Sequence, residues 1–313
     1  MMKSGTHIIN ELMVALGYRM YGTVRVSQET RPVLDKNARW RIATMVYGDE
    51  DAAWLKSQPD ETFDDVTDRA WEALAWAWQL RFGMPLRNLY SMELIDTGLV
   101  DRVFRRTAGS SFADTPAGIC WIFHNFDIKQ IDGAFLREWE ETGEPRIIFN
   151  YRDPRDIILS LVNFLSRQTK NGLSAPSFHP VFSRILLAKN SLEERLAYAL
   201  TDTSFPCQPE DFNQLLWLLH HPRVCKVNFE ELVGTEGGGS AQSQAAAVAR
   251  LTGFLGVTDR SPAELAGSLF NTEAFSFYKG QIGGWRGVFT AEHRRLAEQR
   301  FGQVLPLYGY SLT

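Results

Sequence analysis

The chain has 313 residues, 44% hydrophobic and 22% charged, which is ordinary for a globular protein and leaves room for one large α/β domain or two small ones. Its 33 Lys and Arg against 37 Asp and Glu give a formal charge of −4, so nothing suggests non-specific nucleic-acid binding and any anion site must be local. The cysteines, Cys120, Cys207 and Cys225, are odd in number and scattered without metal-ligand spacing, which reads as reduced thiols in a cytoplasmic protein. No apolar run is long enough for a membrane span, and the amino terminus lacks the apolar core of a secretory leader.

In chain order, Lys3-Ser4-Gly5-Thr6-His7 comes first, followed by Ile8, Ile9, Leu12, Met13 and Leu16 at helical spacing. This pattern fits a phosphate loop opening a helix, with backbone N–H groups, a lysine and hydroxyls converging on one spot; it also fits a capped first helix. Such loops normally hang from a preceding buried strand, and the residues before Lys3 are too few to make one, so the fold is expected without its first strand. Residues 20–26 read as a strand. Asp60 or Thr62 caps a helix predicted to reach Phe82, where Trp71, Trp76 and Trp78 form either core or the wall of an apolar pocket. Residues 84–117 show no regular pattern.

Residues 118–124, Gly-Ile-Cys-Trp-Ile-Phe-His, read as a buried strand with His124 at its carboxy-terminal end, where open α/β sheets collect ligands. A helix over 129–139 leads to a second apolar strand, residues 147–151, and then to Arg152-Asp153-Pro154. Asp153 suits an N-cap and Pro154 the first helical position. Ser160, seven residues beyond the cap, returns to nearly the same helix face at about 100° per residue. Arg152 at the helix mouth and Ser160 two turns along it fit an anion clamp; they also fit plain surface solvation.

Further on, Ser191 to Glu194 form a capping box, residues 211–220 a helix and residues 223–229 a third parallel strand. Residues 234–244, rich in Gly, Ser and Gln, are expected to form a mobile loop, and residues 245–255 a helix ending at Gly256. Lys279 and Arg286 flank Trp285 in a glycine-rich stretch that suits a flap over an anion, before Thr290 caps a last helix over 291–304.

Together these segments resemble the PAPS-dependent sulfotransferases, whose donor is 3′-phosphoadenosine 5′-phosphosulfate. Lys3-Ser4-Gly5-Thr6 is similar to the family's 5′-phosphosulfate loop without its proline. Tyr151-Arg152-Asp153-Pro154-Arg155-Asp156 with Ser160 resembles its 3′-phosphate motif. Residues 227–232, Val-Asn-Phe-Glu-Glu-Leu, resemble a segment after a core strand whose tyrosine is here Phe229. Lys279-Gly280 with Gly283, Trp285 and Arg286 resembles the carboxy-terminal flap.

The resemblance implies a P-loop-like sulfotransferase fold: one α/β domain over residues 1–313, with a central parallel sheet flanked by helices. It implies sulfuryl transfer from PAPS to a hydroxyl of a small-molecule or carbohydrate acceptor, without a metal. Lys3, Ser4, Gly5, Thr6 and His7 would hold the 5′ side. Arg152, Ser160, Phe229, Lys279 and Gly280 would hold the rest of the nucleotide. His124 would be the base, with Asp127 as the fallback, and Lys3 would offset charge on the leaving phosphate. Residues 18–117 and 166–209 would shape the acceptor side. The chain departs from the family at Ile122, where a lysine is common two residues before the histidine, at Tyr278, where the flap often has arginine, and at His7-Ile8 after the loop. These departures point to a bacterial or natural-product branch. Two rivals remain: a binding protein that holds the nucleotide without turnover, and a P-loop kinase, which the absence of Gly-x-x-x-x-Gly-Lys-Ser/Thr disfavours.

Overall fold

The structure is a computed structural model in which residues 3–22, 32–85, 95–123, 126–166, 178–270 and 280–312 are described. The chain forms two compact units: residues 1–18 with 146–313, and an inserted unit of residues 19–145.

In the inserted unit, β1 (Arg19–Gly22) pairs in parallel with β2 (Ile119–Ile122), Arg19 opposite Ile119 and Gly22 opposite Ile122. The long helix Asp60–Arg81 buries Phe63, Ala70, Trp71, Leu74 and Trp78 at helical spacing, and helix Lys36–Tyr47 packs on it. Trp71 and Trp78 are core residues, and Trp76 is half-buried. The described residues between 84 and 117 are more regular than their pattern suggests. Helix Thr97–Arg106 forms there because Asp96 accepts a bond from the Leu99 N–H at 2.8 Å and Leu99, Val100 and Val103 turn inward.

In the other unit, β3 (Ile147–Tyr151) pairs in parallel with β4 (Val224–Asn228), Ile147 opposite Val224 and Tyr151 opposite Asn228. Helix Thr6–Ala15 and helix Ala241–Leu255 bury Ile8, Leu12, Val248 and Leu251 against Val227 and Phe229. Helix Pro154–Leu165 follows β3 after one turn, as expected from Asp153 and Pro154.

Four expectations change. The central parallel sheet is present, among the described residues, as two separate parallel pairs. The strand expected over 20–26 is seen as β1, and its continuation falls outside the described residues. The helix expected over 211–220 is two short helices, Pro209–Asn213 and Leu216–His220. Residues 234–244, expected as a loop, hold the 3-10 turn Thr235–Gly237 and the start of helix Ala241–Leu255, which Ser240 caps. No described helix is long and apolar enough to cross a membrane.

Candidate functional site

The site grows from the turn after β3. The Asp153 carboxylate accepts the Arg155 backbone N–H at 2.9 Å and, at 2.8 Å, the Arg155 guanidinium, so one residue caps the helix and holds its neighbour. Arg152 is thereby left at the helix mouth, and it is buried. Its guanidinium lies over the Phe229 ring, 3.9 Å from the centroid. Its Nη2 donates to the Gln281 carbonyl at 2.7 Å and stands 3.5 Å from the Asp156 carboxylate. Its Nε–H is buried and has no hydrogen-bond partner among the described residues. A buried donor of this kind is costly unless something accepts it. Ser160 lies half-buried two turns along the same helix.

The loop of residues 3–6 is stitched to β3. Ser4, fully buried, donates from Oγ to Asn150 Oδ1 at 2.5 Å, and Asn150 Nδ2 donates back to the Ser4 carbonyl at 3.1 Å. Lys3 and Gly5 both have left-handed backbone, with φ of 59° and 94°. Gly5 is the N-cap of helix Thr6–Ala15 and has no side chain to satisfy that helix's first N–H groups. A Cβ on Gly5 would stand 2.6 Å from the Phe229 ring, so the backbone there approaches as only glycine allows. The Lys3 ammonium sits over the Phe164 ring at 4.8 Å. Burial first, then the Lys3 charge, lower the pKa of His7, so its imidazole favours the neutral form.

The carboxy-terminal stretch is tied to the same helix. Asp156 accepts the Gly283 N–H at 2.8 Å and the Trp285 N–H at 3.1 Å. Burial pushes the Asp156 carboxyl up, opposed by Arg152 and then by these backbone bonds. Trp285 is buried under the Arg155 guanidinium, 4.0 Å from the ring centroid. Gly280 has a left-handed φ of 59°, and the Ile282 N–H donates to the Gly237 carbonyl at 2.9 Å. Glu230 joins from the end of β4: it accepts the Tyr310 hydroxyl at 3.0 Å and the Asp153 N–H at 3.3 Å.

Of the predicted site residues, Ser4, Gly5, Arg152 and Phe229 therefore meet in one cluster, with Phe229 as the wall shared by Gly5 and Arg152. Lys3, Thr6, His7 and Ser160 sit on the elements that carry it, and Gly280 adjoins Gln281. His124 and Lys279 lie outside the described residues. Asp127 belongs to the inserted unit, where its carboxylate accepts the Lys129 N–H at 3.0 Å and the Gln130 side-chain amide at 3.1 Å. Asn150 and Asp156 were not singled out from the sequence. Each carried a signal: Asn150 is the polar residue inside an apolar strand, and Asp156 is the second acid of Arg-Asp-Pro-Arg-Asp.

No protein-family model matches the chain, and no curated protein matches it. Among solved structures it is similar to mouse sulfotransferase SULT7A1 complexed with PAP, the desulfated donor 3′-phosphoadenosine 5′-phosphate: 15% identity over 76% of this chain and 82% of that one, TM-score 0.42. It is also similar to retinol dehydratase in complex with androsterone and inactive cofactor PAP, with 16% identity over 100% of this chain and 80% of that one, TM-score 0.43. At TM-scores of this size, the functional case rests on the chain's own residues.

Proposed function

We propose that the chain is a PAPS-dependent sulfotransferase acting on a hydroxyl of a small-molecule or carbohydrate acceptor. The observation that carries this reading is the convergence on Phe229 of Gly5, from the first loop, and Arg152, from the turn after β3, with Gln281 bonded to that same arginine. Three segments far apart in sequence thus meet in one cluster around a buried arginine.

The residues fit a nucleotide with phosphates at both ends. Arg152 offers a buried N–H without an acceptor among the described residues, and Gly5 caps the first helix without a side-chain bond to its leading N–H groups. Lys3, Ser4, Gly5, Thr6 and His7 are assigned to the 5′-phosphosulfate, and Arg152, Ser160, Phe229, Lys279 and Gly280 to the 3′-phosphate and nucleoside. PAPS, when bound, supplies the sulfuryl group. Lys3 is assigned to offset charge at the 5′-phosphate, and His124 is assigned as the base that takes the acceptor hydroxyl's proton. Asp127 is the weaker candidate for base, because both its oxygens are bonded within its own turn.

The test is turnover of labelled PAPS over a panel of hydroxyl acceptors. Labelled product that depends on the acceptor supports the reading. Tight binding of PAP without turnover on any acceptor would assign a nucleotide-binding protein instead, and phosphate transfer from ATP–Mg would assign a kinase.

A further inference from the structure

The side chain least explained by its own helix is Asp156. It stands in the first turn of helix Pro154–Leu165, where Asp153 already caps, so its carboxylate is not needed there. It is 2% exposed, deeper than any ordinary aspartate, and both its oxygens leave the helix. One accepts the Gly283 N–H at 2.8 Å and the other the Trp285 N–H at 3.1 Å. The first also stands 3.5 Å from Arg152 Nη2, the nitrogen that donates to Gln281 O at 2.7 Å. The contacts close a ring: Arg152 holds Gln281, residues 283 and 285 are held by Asp156, and Asp156 faces Arg152.

A guanidinium is a planar fork, so bonding one nitrogen at its edge fixes where the remaining N–H groups point. Here the fixed nitrogen is Nη2, and the buried Nε–H is a donor with no partner among the described residues. The Gln281 carbonyl can fix that edge only while its own loop is seated. Two bonds donated by its backbone N–H groups, at Gly283 and Trp285, seat it, and Asp156 accepts both.

We infer that Asp156 is a positioning residue: it latches residues 281–285 onto Arg152 and so sets the grip of that arginine on a ligand phosphate that Asp156 itself does not touch. This rests on the reading of the cluster as a site for a 3′-phosphorylated nucleotide. The latch also assigns a second role to the segment 281–285, as part of the clamp before any ligand arrives.

Two measurements test it. In the ligand-free wild-type chain, backbone hydrogen exchange of residues 281–287 should be slow at Gly283 and Trp285, and exchange at the rate of an open loop would overturn the latch. Asp156→Asn replaces one acceptor with an N–H₂ that meets an N–H donor. It should speed exchange at those two amides. It should also weaken binding of 3′-phosphoadenosine 5′-phosphate about tenfold while changing that of 5′-AMP less than twofold. Equal weakening of both nucleotides would reduce Asp156 to a fold residue, and tighter binding with unchanged exchange would make it a competitor for the arginine; either overturns the proposal. Failure of the wild-type chain to bind 3′-phosphoadenosine 5′-phosphate would sink the nucleotide reading, and the exchange data would still decide the latch.

Discussion

β2 and β3 are both short parallel strands rich in apolar residues, yet they sit in opposite surroundings. Trp121 on β2 has the rings of Tyr21, Trp71, Phe112 and Phe82 between 5.0 and 6.2 Å away, in edge-on arrangements that aromatic quadrupoles favour. β3 carries Asn150 inside it and runs into Arg152, Asp153, Arg155 and Asp156, all four buried. Rings stabilise by area and shape and tolerate being sealed from water. Buried charges are costly unless each finds a partner, so a buried arginine whose Nε–H has no partner among the described residues is where a ligand is to be sought. Where an apolar strand leads into polar burial, chemistry is to be sought; where it is wrapped in rings, stability is.

That contrast can be broken most sharply at the one residue after β2 assigned to chemistry. His124→Ala should lower turnover by about 10²- to 10⁴-fold with binding of 3′-phosphoadenosine 5′-phosphate unchanged, read by steady-state kinetics and calorimetry. Retained turnover moves the base elsewhere, and Asp127→Asn is then the next variant to assay. Next in size is the ring cluster itself. Trp78, 1% exposed and stacked edge-on to Phe112, should cost about 3–5 kcal/mol of unfolding free energy as Trp78→Ala, measured in urea. A loss below about 1 kcal/mol would mean that the cluster is not the stabilising part.

On the β3 side the effect should fall on binding. Arg152→Ala should raise the dissociation constant for 3′-phosphoadenosine 5′-phosphate about tenfold or more, about 1.4 kcal/mol. A smaller effect separates two glycines. Gly5 and Gly17 have φ of 94° and 88°, but a Cβ meets the Phe229 ring at 2.6 Å at Gly5 and nothing within 4 Å at Gly17. Both alanine variants should lose about 1–2 kcal/mol for the left-handed backbone. Only Gly5→Ala should lose more than that and weaken nucleotide binding. Equal losses would show that Phe229 yields easily.

The smallest expected effect is on pH. Burial raises the Glu230 carboxyl above its ordinary 4.5, so over that interval the folded chain binds more protons than the unfolded one. Its contribution is fully present below 4.5 and is lost as pH rises through the higher folded value. Urea midpoints of the wild-type chain should therefore fall relative to those of Glu230→Gln as pH rises from 4.5; parallel curves would place Glu230 in contact with water.

How much could be read beforehand follows the same division. The strand–turn–helix at 147–165 was legible because an apolar run, an Asp cap and a Pro at the first helical position all agree locally. Helix Thr97–Arg106 was not, since only Leu99, Val100 and Val103 carry its inward face and the flanking residues give no period. The split of the parallel strands into two pairs depends on tertiary contacts that no local signal encodes. The place of Arg152 at the helix mouth was legible, but its partners there were not. Asp156 and Gln281 reach it across 129 residues or from an ordinary first-turn position, and Asn150 reaches Ser4 across 146.

The central claim is that residues 3–7, 152 and 280–285 form one site for a nucleotide with a 3′-phosphate. Calorimetric titration of the wild-type chain and Arg152→Ala with 3′-phosphoadenosine 5′-phosphate, 5′-AMP and ATP–Mg tests it most directly. The wild-type chain should prefer the 3′-phosphorylated nucleotide over 5′-AMP by about tenfold or more, and the preference should vanish in the variant. Equal affinity for the first two in the wild-type chain, or tighter binding of ATP–Mg than of either, would contradict it.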